Sequence, residues 1–139
     1  MGLGEAIKRI YYISISLLSA FLGFGIWALS PMLIGHREPW DSDYPFYSGV
    51  SLLGGVVLGL ITKPNLIPCY LGFWFGQIFA LAMLPGPGKN WLMLGVVSTA
   101  IGSLFFLGGS AAGKGIRMTM GRLLCRSRHH RETHLSVDS

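Results

Sequence analysis

The sequence predicts an all-α integral membrane protein: a compact four-transmembrane-helix bundle with both termini cytoplasmic and a short basic cytoplasmic C-terminal segment. Only 12% of the 139 residues are charged, whereas a soluble domain carries about 25%. Four long apolar runs contain no Asp, Glu, Lys, Arg or His, and a helix crosses a bilayer with roughly 17–25 such residues. Nine of the 11 basic residues flank these runs on one side.

The four runs place the predicted spans at 10–29, 46–62, 66–84 and 91–113. They are continuous rather than alternating, which favours helices, because backbone polar groups in lipid must be satisfied within the segment. Pro31 is expected to end or kink span one. The short connection 62–65 is expected to make spans two and three an antiparallel hairpin. A signal peptide is the alternative for the first run, although its apolar stretch exceeds the usual length of about 7–15 residues.

The distribution of Lys and Arg predicts the orientation, because these residues concentrate on the cytoplasmic side. Only Arg37 and Lys89 fall on the opposite side. Residues 1–113 are therefore expected to form the transmembrane domain, and 114–139 a basic cytoplasmic tail that is partly an amphipathic helix at the interface. Each basic residue beside anionic lipid contributes about 1 kcal/mol. The residues expected to contact lipid headgroups are Lys114, Arg117, Arg122, Arg126 and Arg128.

Small residues spaced four apart occur in every span and predict where helices pack. Lipid tails are as apolar as leucine, so helices associate through close approach at small residues instead. The predicted packing positions are Ser19, Gly23, Gly55, Gly59, Gly72, Gly76, Gly102, Gly109 and Gly113. They could join the helices of one chain, dock helices of a partner, or do both.

A short sequence recurs within the chain. The segment LGGVVLG at 53–59 resembles LGGSAAG at 107–113. Two duplicated hairpins related by an axis along the membrane normal would produce such a recurrence. Chance similarity in a chain rich in glycine and leucine would produce it as well.

The spans offer little chemistry. A residue that works in transport or catalysis within a membrane is usually ionisable, and the spans have none. Gln77 is the one strongly polar side chain deep in a span, either as an interhelical hydrogen-bonding group or as a gating position in a pore. Hydroxyls of spans one and four could line a path through a ring of chains, namely Ser14, Ser16, Ser19, Ser98, Thr99, Ser103 and Ser110. We expect no enzyme activity, no catalytic residue, no cofactor and no metal site.

The stretch HREPWDSDYPFYSG at 36–49 holds three of the six acidic residues. It falls between spans one and two and is therefore expected on the outer face. It could anchor the topology, dock a partner, or bind a metal or substrate, although its spacing does not match a calcium loop of the EF-hand type. The predicted contact residues are Glu38, Trp40, Asp41, Asp43 and Tyr44.

These features favour a small non-catalytic, multi-pass protein of a plasma or bacterial inner membrane. We expect an accessory, assembly or scaffold subunit of a larger membrane complex, acting through its Gly/Ser faces and basic tail. Expected partners are membrane lipids, anionic on the cytoplasmic side, and a protein partner or further copies of the chain, but no nucleic acid. The alternatives are a homo-oligomeric channel or small-solute transporter lined by spans one and four, and a membrane-acting effector.

Overall fold

The computed structural model describes residues 2–36, 38–39, 45–63, 65–83 and 92–135, with side chains described up to residue 123 except at 92. Within these ranges the chain forms helices and no strand. The helices are α1 Leu3–Ile34, α2 Phe46–Ile61, α3 Leu66–Met83 and α4 Leu92–Leu135. The predicted all-α fold of four helices is therefore confirmed.

Three of the helices, α1, α3 and α4, are long and apolar enough to cross a membrane. The fourth, α2, is also apolar but has only 16 residues, just short of the roughly 17–25 that a bilayer core requires. Length and composition are thus compatible with insertion of the bundle into a membrane.

Two helices extend beyond the predicted spans. Pro31 lies inside α1 and does not end it. A proline removes one backbone hydrogen bond, but the end of this helix is set by Gly35, whose φ of 74° is left-handed and is readily adopted by glycine. The second helix that exceeds its predicted span is α4, which has 44 residues and a length of about 66 Å. The predicted tail therefore continues span four as a helix.

The helices associate as two parallel pairs, α1 with α3 and α2 with α4, and the pairs meet mainly along α3 and α4. The predicted hairpin of spans two and three is wrong, because no described residues of α2 and α3 have Cα atoms within 8 Å. Their short connection permits a hairpin. The small-residue face of α2, however, matches α4 rather than α3.

The α2–α4 interface is reciprocal. A Cβ added at Gly55 would come within 3.0 Å of the Phe106 carbonyl oxygen, and one added at Gly109 equally close to that of Leu52. A shift of 54 residues along the sequence takes Leu52 to Phe106 and Gly55 to Gly109, so it exchanges the two sides of the contact. The recurring segments 53–59 and 107–113 are thus the two sides of a single interface, in which backbones approach without intervening side chains.

The α1–α3 interface follows the same rule. A Cβ at Gly76 would come within 3.0 Å of the Ala20 carbonyl oxygen, and one at Gly23 equally close to that of Phe73. Ser19 is buried beside this contact. The two helix pairs are joined by Phe73 and Phe106, whose rings stack in parallel with centroids 4.0 Å apart. Both rings are fully buried, so this stack is the centre of the core.

Candidate functional site: a buried polar network between three helices

A chain of hydrogen bonds links α2, α3 and α4 inside the bundle. The Tyr47 hydroxyl donates to Gln77 Oε1. Gln77 Nε2 donates to Ser103 Oγ at 3.1 Å, and Ser103 Oγ donates to the Thr99 carbonyl oxygen at 2.7 Å. All four residues are buried. Gln77 therefore makes interhelical hydrogen bonds with both ends of its amide.

Glycines make room for this network. A Cβ at Gly102 would collide with the Tyr47 ring, so Gly102 admits an aromatic ring and not a helix backbone. On the opposite side, Gly23 brings α1 against the Gln77 side chain, whose Cγ would lie 3.3 Å from a Cβ at that position. The network thus depends on close approach at two glycines on different helices.

The chemistry available to the network is hydrogen bonding. Its members are amide and hydroxyl groups, and none of them carries a charge near neutral pH. Interhelical hydrogen bonds of this kind in membranes contribute on average about 0.6 kcal/mol and at most about 1.7 kcal/mol. The arrangement orients three helices around a common centre and presents no nucleophile paired with a base.

The hydroxyls that could have lined a path do not share one face. Four of them are buried and bonded to a carbonyl one turn back: Ser19, Thr99, Ser103 and Ser110. Ser14, by contrast, is exposed, while Ser16 and Ser98 are half-buried. The four buried hydroxyls therefore lie inside the bundle and not on its surface.

The predicted packing positions all lie at contacts within the chain. Seven of the glycines would place a Cβ against the backbone of the paired helix and Gly102 against a ring. Sequence reasoning missed a second set of small residues, which forms an open stripe on α4. Nothing lies within 4 Å of a Cβ at Gly108 or Gly115, and Ala111 and Ala112 between them are exposed.

Sequence reasoning also missed the place of Tyr47 in the core. A signal was present, since Tyr47, Ser51, Gly55 and Gly59 recur every four residues along α2. Residues at this spacing share one face of a helix. The aromatic residue at the start of the series should therefore point inward with the glycines.

The predicted lipid contacts are divided between the bundle and its extension. Arg117 Nη1 donates to the Thr62 carbonyl oxygen at the end of α2, where a cation stabilises a helix C-terminus. Lys114 is half-buried and Arg122 is exposed. The side chains of Arg126 and Arg128 lie outside the described residues. Arg117 is thus engaged within the chain and joins α4 to α2.

The described residues include one of the five predicted outer-loop contacts. Trp40, Asp41, Asp43 and Tyr44 lie outside the described residues, and Glu38 is half-buried. In the described part of the chain, no group of three or more His, Cys, Asp or Glu side chains could hold a metal ion.

Ser51 provides a test of the polar core. Its buried Oγ has no hydrogen-bond partner among the described residues, and a buried unsatisfied group costs about 1–3 kcal/mol. We expect Ser51→Ala to leave stability unchanged or raise it by up to about 1 kcal/mol. Ser103→Ala, which breaks the network, should lower it by about 0.6–1.7 kcal/mol. Unfolding in mixed micelles measures both free energies. A loss of stability for Ser51→Ala as large as that for Ser103→Ala would show that the Ser51 hydroxyl is bonded.

Comparison with known proteins identifies no relative. The chain matches no protein-family model, no curated protein and no solved structure.

Proposed function

We propose that this chain is a non-catalytic accessory, assembly or scaffold subunit of a membrane complex. The four-helix bundle anchors it as a multi-pass protein of a plasma or bacterial inner membrane. Its termini face the cytoplasm, where α4 projects as an arm toward a protein partner. The observation that carries this proposal is the length of α4, 44 residues against 16 in α2 and 18 in α3.

The bundle ends well before α4 does. The start of α1, the connection after α2 and the middle of α4 meet at one end of the bundle, which we call the Lys63 end. There Lys63 N donates to the Tyr11 hydroxyl at 2.8 Å and Arg117 bonds to Thr62. All residues from 118 to 123 are exposed. The arm, residues 118–135, therefore begins where the contacts of α4 with the bundle stop.

The composition of the arm favours a partner. Met118, Met120 and Leu123 are each more than half exposed. Covering such apolar side chains with a partner would lower the free energy, because it removes apolar surface from water. Most helical stability in proteins comes from packing of one face rather than from intrinsic propensity. The arm contains no proline, one of the common causes of a sharp helix bend, and a straight continuation of α4 leads away from the bilayer. Its arginines, including Arg122, favour an acidic surface on the partner.

The open stripe on α4 supports a second contact within the membrane. Gly108, Ala111, Ala112 and Gly115 allow the backbone of another helix to approach, as small residues do in membrane helix pairs. The other small-residue faces are occupied by helices of the same chain. A partner helix would therefore dock on the same helix that carries the arm.

Charge reversal in the arm tests the proposal. The full-length tagged protein should elute from its native membranes in mild detergent as a defined complex with a partner at fixed stoichiometry. The triple variant R122E/R126E/R128E should reduce recovery of that partner about tenfold, because like charges across an interface repel. These positions lie beyond the bundle, so thermal unfolding of the bundle should not change.

The matched control keeps the charges. R122K/R126K/R128K should recover the partner at nearly the original level. A protein that elutes alone as a monomer would contradict the accessory role. Equal recovery with the lysine and glutamate variants would instead show that the arginines of the arm do not make the contact.

A further inference from the structure

A groove of about 370 Å³ runs along the outer surface of the α1–α3 pair. Its floor consists of Ser16, Ala20 and Gly72, which are small because the two backbones touch there. A Cβ at Gly72 would come within 3.0 Å of the Ser16 carbonyl oxygen. The walls are formed by larger side chains, Tyr12, Ile13, Leu17 and Pro68.

The shape of the groove suits a flexible chain better than a helix. Leu17 is 65% exposed and Ile13 52% exposed, so both stand out on one side of the floor. A second helix would meet these walls before its backbone reached the small residues. The lined part of α1, residues 12–20, is only about 12 Å long. A hydrocarbon chain can enter between the walls and follow the floor.

Positive charge lies at the Lys63 end of this groove. Lys8 and Arg9 precede Tyr12 and Ile13 by one helical turn, which places them on the same face of α1. Both are exposed. Glu5, the acidic residue in the first turn of α1, lies a further turn away from the groove.

The start of α3 adds donors at the same level. Parallel packing brings Gly72 to Ser16 and Gly76 to Ala20, so one turn earlier Pro68 faces Tyr12, and the first residues of α3 face Arg9. Among the described residues, the backbone hydrogen bond at this end of α3 runs from Cys69 N to the Asn65 carbonyl oxygen. The N–H groups of Leu66 and Ile67 precede it and can meet an anion at the positive end of the helix dipole.

We infer that the α1–α3 groove binds one molecule of an anionic phospholipid. One acyl chain lies along the small-residue floor between Tyr12 and Leu17, and the phosphate is held by Lys8, Arg9 and the start of α3. This inference goes beyond the accessory role and uses none of the residues of the arm. It requires only that the bundle be embedded in a bilayer, so either proposal can fail while the other stands.

The experiment counts lipids on the full-length protein. The protein is reconstituted in nanodiscs of phosphatidylcholine with one fifth phosphatidylglycerol, transferred to detergent, and weighed intact by native mass spectrometry. We expect one phosphatidylglycerol to remain bound. K8Q/R9Q should weaken its retention about 10- to 30-fold, since each basic residue near an anionic headgroup contributes about 1 kcal/mol. Ser16→Leu, which fills the floor, should abolish retention.

Two matched controls accompany these variants. K114Q/R122Q removes the same charge from α4, outside the groove. Ser14→Leu adds the same side chain on an exposed face of α1 that does not line the groove. Both should retain the lipid. The inference is overturned if phosphatidylcholine is retained equally, if a control loses as much as its matched variant, or if Ser16→Leu disrupts a dimer and leaves lipid retention unchanged.

Discussion

Gly109→Ala is expected to destabilise the bundle by about 1–3 kcal/mol, the usual cost of overpacking a close-packed interior. Gly108→Ala, one residue earlier, should leave stability unchanged or raise it by up to about 1 kcal/mol through helix propensity. The physical difference is the space beside each glycine. A Cβ at Gly109 meets the Leu52 carbonyl oxygen, whereas nothing lies within 4 Å of one at Gly108.

The contact at Gly109 cannot relax easily. The atom opposite is a backbone oxygen, so α2 and α4 would have to separate as rigid helices. Gly55 and Gly59 on α2 make the reciprocal contacts, and separation would loosen all of them. Titration with sodium dodecyl sulfate in mixed micelles, followed by tryptophan fluorescence, measures the free energy of unfolding. Equal effects of the two alanines would contradict the glycine-to-backbone contact between α2 and α4.

Gln77→Met is expected to lower the free energy of unfolding by about 1–3 kcal/mol. Methionine nearly preserves the volume but leaves the buried Tyr47 hydroxyl and Ser103 Oγ without the amide that both contact. Burying groups whose partners have been removed costs about that much. Among substitutions in the network that nearly preserve side-chain volume, Gln77→Met should cause the largest loss, because Gln77 bonds to two helices at once.

A double-mutant cycle isolates the hydrogen bond between α2 and α3. Tyr47→Phe alone should cost about 0.6–1.7 kcal/mol, since it removes the hydroxyl and keeps the ring against Gly102. Once Gln77 is methionine, the same substitution should cost less, because the Tyr47 hydroxyl no longer meets the Gln77 amide. The same micelle titration provides all four values. Strict additivity would mean that the two side chains do not interact.

The sequence predicted the helices well because their signal is local. Each apolar run is continuous and bounded by polar or turn-forming residues, so the starts of α2 and α3 were predicted at the observed residues. Ends without such a signal were predicted less well. Pro31 suggested that α1 would stop, yet its end depends on Gly35. The helix beyond residue 113 has the polar composition of a solvated tail, and composition alone does not show that α4 continues.

The small-residue positions were also predicted from sequence, but their partners were not. A glycine four residues from another marks a face that admits close approach, and every such face is used in the structure. Which faces meet depends on matching two helices in three dimensions. The short connection between α2 and α3 suggested a hairpin. The reciprocal fit of 53–59 with 107–113 instead placed α2 beside α4.

By itself, then, the sequence determined that the chain is helical, apolar and free of ionisable groups within its spans. These properties follow from composition and from periodicity along one segment. Only the tertiary structure decided the pairing of helices, the contact of Tyr47 with Gln77, the open stripe on α4 and the groove between α1 and α3. Each of these depends on residues far apart in sequence, whose contacts are selected by the shapes of two packed surfaces.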